Sequence, residues 1–152
     1  MTDQEIFDKV HTHLLTQRTA ATEDGACAYR AGPKSCAVGA LIPDCLYTPE
    51  IEGTSVSVLI KYKETYPHHP LGYALKQAGF TPKQYPLLRD LQRVHDRLLP
   101  RPNDESPSMA RALCGLRVVA AQHKLACAEY ALTDLQSVLD YLEYTQCPPL
   151  TK

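Results

Sequence analysis

Apolar residues recur along this chain mostly at spacings of three and four, the period of an amphipathic helix and not of a strand. Ile6, Phe7, Val10, Leu14 and Leu15 open the pattern. Thr2 and Glu5 frame a capping box ahead of them, which predicts a helix running to about Arg18. His11 and His13 fall on either side of that stripe and read as solvated surface. Val56, Leu59 and Ile60 predict a short helix within 54–63, and a second spans Leu71 to Gln77 with Gly79 closing it. Thr81-Pro82-Lys83-Gln84 is another capping box, with proline in the first turn. It precedes a stripe of Leu88, Leu91, Val94, Leu98 and Leu99, with His95 on or beside it. From Met109 on, Leu113, Leu116, Val119 or Val118, and then Leu125 resume the helical period. Beyond them Leu125, Ala128, Leu132, Leu135, Val138 or Leu139, and Leu142 form a narrow seam, suited to an additional C-terminal helix over 126–147 and to a homodimer contact through Leu125–Leu142.

One stretch breaks the rhythm. Ala26 to Val56 holds three cysteines, a Tyr-Arg pair, a Gly-Pro turn and several acidic residues. Ala26–Ala31 alternates like a short strand, Gly32-Pro33 is a turn signal, and a second strand from Lys34 would complete a hairpin. The competing reading has Ser35 capping a helix that starts at Cys36 and runs through Ile42, limited by Pro43. The predicted fold class is therefore mostly α, α+β at most. It is one domain over 1–152, a helical bundle of five to seven helices with a small hairpin near residues 26–36.

The chain has 152 residues, 44% of them apolar and 22% charged, which is globular composition with enough length for a real core. A net charge of −1 exerts no global pull on nucleic acid or anionic membrane, and no nucleic-acid motif is present. The polar, acidic start Met-Thr-Asp-Gln-Glu is unlike a secretory signal, so a cytoplasmic location is expected. The six cysteines are then expected as free thiols. Cys27, Cys36 and Cys45 are spaced by nine, unlike the close pairs of structural zinc sites. His68-His69 sits in a proline-flanked loop where neighbouring side chains diverge. No metal or cofactor is implied.

With the central stretch and the Leu91-Gln92-Arg93-Val94-His95-Asp96 segment in view, the chain resembles a family of small proteins of tailed phages and bacteria. The matching pieces are Tyr29-Arg30, Cys36-Ala37-Val38-Gly39, Leu41-Ile42-Pro43-Asp44, Tyr47, Glu52-Gly53, Leu91-Gln92 and His95-Asp96. They lie within about residues 1–125, and 126–152 looks like an extension. The resemblance implies a phage-borne accessory protein acting in the host cytoplasm, of the kind that interferes with host defence. It implies no particular activity.

Two chemistries suit the central stretch. In the first, a helix start at Cys36 offers free amides, Arg30 and Lys34 add positive charge, and Tyr29 and Tyr47 offer flat faces. Asp44 or Glu52 accepts from a sugar or base, and His95 docks beneath. That set fits a small phosphate-bearing, nucleotide-type ligand bound without chemistry. Equally, Arg30 pairs with Asp44 or Glu52 and merely staples the loop. In the second, Cys36 is a nucleophile with His95 as base and Asp44, or else Glu52, as orienting carboxylate, a cysteine-dependent hydrolase. Asp96 is a poor orienter here, because adjacent helical residues point about 100° apart. A module that contacts a host protein is the remaining class. Whichever holds, His95 is predicted to hydrogen-bond a group from residues 27–53.

Overall fold

A computed structural model of the chain describes residues 1–62, 69–99 and 108–127. Among these, five α-helices carry the core. They are α1 (Asp3–Gln17), α2 (Val56–Lys61), α3 (Pro70–Gln77), α4 (Tyr85–Asp96) and α5 (Ser108–His123). The fold is mostly α, as the periodicity predicts. Each well-capped start is where the sequence puts it. Thr2 and Glu5 close a capping box on α1, with Glu5 Oε2 accepting from the Thr2 amide at 2.7 Å. Thr81 and Gln84 close the other, over one turn of 3-10 helix that leads into α4.

The sheet content is two tiny hairpins instead of one. Strands β1 (Thr22–Glu23) and β2 (Ala26–Cys27) pair antiparallel, as do β3 (Arg30–Ala31) and β4 (Lys34–Ser35). The second is the predicted hairpin, turned at Gly32 with φ +57°. The first lies upstream, where Asp24 and Gly25 both take positive φ. The alternative helix from Cys36 does not form. Only a single 3-10 turn, Gly39–Leu41, appears, followed by two more at Asp44–Leu46 and Pro49–Ile51. The Cys36 amide is already donated to the Tyr29 carbonyl at 3.0 Å, and the thiol accepts from Gly39 N at 3.2 Å. The chain there is held by the hairpin, so it does not wind into a free helix end.

Helix α4 is the hub, packing against α1, α2 and α5. Its Leu87, Leu88, Leu91 and Val94 are buried with Phe7, Leu14, Leu113 and Leu116 in one continuous cluster. Helix α5 ends at His123, because Lys124 takes φ 56°, so Leu125 lies beyond the helix that its spacing extends. The predicted 126–147 helix, the Leu125–Leu142 dimer seam and His68 fall mostly or wholly outside the described residues. His69 is within them and caps α3, its Nδ1 accepting from Leu71 N at 3.1 Å. No helix among the described residues is long and apolar enough to cross a membrane.

The two N-terminal histidines are not surface groups. His13 is half-buried with Nε2 2.9 Å from the Ser35 carbonyl, pinning α1 to β4. His11 is buried beside the Phe7 ring, with centroids 5.8 Å apart. The apolar arc of α1 is wide enough to include it. Burial holds the His11 imidazole below its ordinary pKa, partly offset by Asp8. The unfolded chain then takes up a proton near pH 6.5 while the folded chain still resists. Stability from this group is complete above about pH 6.5 and falls as pH drops toward and through the lowered folded value. Urea unfolding between pH 8 and pH 5 should show that loss in the wild type, and His11→Leu should lack it.

Candidate functional site

The residues singled out in the central stretch do not form one pocket. Tyr29 sits at a bend and Arg30 opens β3, and their side chains leave in different directions. Tyr29 goes inward, buried, its hydroxyl donating to the Thr54 carbonyl at 2.6 Å. Arg30 goes outward, with both terminal nitrogens engaged. Its Nη1 meets Asp44 Oδ1 at 2.6 Å, its Nη2 donates to the Ile42 carbonyl at 2.6 Å, and its guanidinium lies 4.6 Å from the Tyr47 ring centre. Glu52 ties this together, accepting from the amides of Tyr29 (2.8 Å) and Arg30 (3.1 Å) and from the Tyr47 hydroxyl (2.8 Å). Partial burial, then that bond to Glu52, pushes the Tyr47 phenol up to about 12. Arg30, Asp44, Tyr47 and Glu52 are thus brought together as a clasp over the second hairpin. Arg30, Lys34 and Asp44 also border an open groove of ≈ 770 Å³ with Lys9 and His13.

A separate cleft of ≈ 440 Å³ shares no lining residue with that groove. One wall is a face of α4, where Arg89, Gln92, Arg93 and Asp96 recur at the helical spacing of three and four. The facing wall carries Cys27, Tyr29 and Cys36, and the segment entering α2 adds Thr54, Ser55 and Ser57. Gln92 fixes the two walls to each other, its Oε1 accepting from Val56 N at 3.3 Å. Behind the arginines stands Asp90. It takes Arg89 Nε at 2.8 Å, His123 Nε2 at 3.0 Å and, more loosely, Arg93 Nη1 at 3.6 Å. Burial alone would raise the Asp90 carboxyl, but Arg89 and His123 overcome it and hold it below its usual value.

At the other end of the cleft Cys27, His95 and Asp96 place a sulfur, a ring nitrogen and a carboxylate oxygen within 4.8 Å of one another. His95 is completely buried. Its Nε2 accepts from the amide of Ala21 at 2.8 Å, and its Nδ1 lies 3.2 Å from Asp96 Oδ1. An amide can only donate, so Nε2 is unprotonated and the proton sits on Nδ1, pointing at Asp96. This corrects two expectations. The His95 partner is Ala21, upstream of residues 27–53, because the chain after α1 reaches α4 before the hairpins begin. Asp96 does meet its neighbour, since Nδ1 is the ring nitrogen nearest the backbone and Asp96 is the last residue of α4. The same tautomer argues against a metal on this trio, because both ring nitrogens already serve the protein.

The cysteine–histidine–aspartate trio of the hydrolase reading is not assembled. Cys36 is buried and its thiol pushed up to about 12 by that burial, His95 is committed to Ala21 and Asp96, and Asp44 stands at the exposed end of the Arg30 clasp. Cys27 was overlooked by pattern. Partial burial of its sulfur, then a hydrogen bond to Asp96, pushes it up to about 12 as well, so it is a protonated donor and no thiolate. Comparisons with family models, with curated proteins and with solved structures find no match.

Proposed function

We propose that the protein binds a small phosphate-bearing molecule in the cleft along α4 and performs no chemistry on it. The observation that carries this is the pair Arg89 and Arg93, presented one turn apart on one wall and opposed by three hydroxyl-bearing residues. Guanidinium forks match phosphate oxygens in geometry and charge, and hydroxyls complete the cradle. One shared carboxylate, Asp90, orients the two guanidiniums without cancelling both charges. The volume lies within the range of about 300–1,000 Å³ typical of small-ligand pockets. Both thiols facing the cleft stay protonated at neutral pH, which favours holding a ligand over attacking it. The phage-borne, counter-defence setting implied by the resemblance fits such a role: a protein that sequesters a nucleotide-type signal lowers its free concentration.

The test is a thermal-shift panel of nucleotides, cyclic nucleotides and ADP-ribose-type molecules, run alongside product analysis. A ligand at a hundredfold its dissociation constant should stabilise the fold by about 2.7 kcal/mol. Arg93→Ala should remove that shift, and Arg30→Ala should leave it in place. Loss on Arg30→Ala alone would move the site to the open groove. Product that disappears with Cys36→Ser would replace binding by hydrolysis. A flat panel would point to a host protein as the partner.

A further inference from the structure

Asp96 is half-exposed to the cleft while the histidine that orients it is completely buried. An ionised carboxylate offers about four lone-pair sites. Buried His95 takes one of them, and the Cys27 sulfur on the facing wall stands within 4.8 Å. The remaining acceptor capacity faces the cleft, on a carboxylate whose direction is fixed by a neutral, tautomer-locked imidazole. Arg89 and Asp96 stand seven residues apart on one helix face, about 10 Å along its axis. One end of the cleft is therefore built for an anion and the other for hydrogen-bond donors.

We infer that the ligand is a nucleotide whose phosphate sits between Arg89 and Arg93 and whose far end gives a pair of O–H or N–H donors to Asp96. This rests on the cleft reading above and narrows it. Two parts of a nucleotide supply such a donor edge: the ribose cis-diol, and a base with adjacent N–H groups such as guanine. Inorganic phosphate supplies neither. His95, which is completely buried, acts on the ligand only through Asp96, as a positioning residue.

Titration calorimetry with inorganic phosphate, ribose 5-phosphate, guanosine monophosphate and its 2′-deoxy form tests this. The nucleotide should bind about tenfold or more tightly than inorganic phosphate, as a pair of hydrogen bonds to a charged acceptor would give. Asp96→Asn keeps an acceptor for His95 but replaces one oxygen by a donor. It should erase the preference, read as the ratio of nucleotide to phosphate affinity within the same variant. Asp96→Glu, which keeps the charge and moves it one methylene outward, should weaken the preference and serves if the asparagine variant folds poorly. If ribose 5-phosphate matches the nucleotide, the diol is the edge read by Asp96; if the 2′-deoxy form matches it, the base is. Equal binding of phosphate and nucleotide, or a preference that survives in both variants, would overturn the inference and leave the cleft reading standing. No binding by any of the four would remove both.

Discussion

Gly39→Ala should destabilise this protein by about 3 kcal/mol or more, at the upper end of overpacking effects. Gly39 has ordinary backbone angles, so the cost is not conformational. A Cβ there would overlap the Tyr29 carbonyl oxygen, and that atom is backbone with no rotamer to yield. The same carbonyl accepts the Cys36 amide at 3.0 Å, so moving it breaks the bond that sets the second hairpin against the 3-10 turns. The Tyr29 ring and the cleft wall would shift with it. For a chain of this length the loss corresponds to a melting temperature lower by roughly 6–12 °C. Gly25→Ala is the control: its Cβ meets nothing within 4 Å, and its cost comes only from a φ of +80°. An alanine at 39 that melts within a degree or two of wild type would show that Tyr29 and Gly39 are not in close contact.

What was legible in the sequence follows from the range of the forces involved. Helices α1, α3 and α4 are local objects: capping boxes at Thr2 and Thr81 announce the first and the last, and apolar stripes mark all three. The second hairpin was legible for the same reason, through Gly32-Pro33. The site was legible only in halves. Arg30, Asp44, Tyr47 and Glu52 do cluster, but as a clasp whose hydrogen bonds are internal, and sequence proximity cannot distinguish a clasp from a pocket. The cleft wall was available in principle, since Arg89, Gln92, Arg93 and Asp96 share a helix face beside the apolar stripe. A polar helix face is ordinarily just solvated, and nothing local marks this one as covered by residues 27–57. Cys27 is the clearest miss. Its meeting with Asp96 spans most of the described chain and leaves no trace in any periodicity.

His95 joins the two halves, and its removal should carry the second large effect. His95→Ala leaves the buried Ala21 amide without its acceptor, which costs about 1–3 kcal/mol. It also opens a void among Leu91, Val94 and their neighbours, so a total of about 3–5 kcal/mol is expected. Chemical unfolding should register this as a lower midpoint with an unchanged slope. His95→Gln, which keeps a side-chain acceptor and some of the volume, should recover part of the loss. The two variants then separate packing from hydrogen bonding. A loss below about 1 kcal/mol for alanine would mean the Ala21 bond contributes little net stability, and the locked tautomer that orients Asp96 would lose its basis. A large loss partly restored by glutamine, with the nucleotide preference still absent, is the expected pattern. Glutamine can satisfy Ala21, but it cannot also aim a proton at Asp96 as the Nδ1–H of imidazole does.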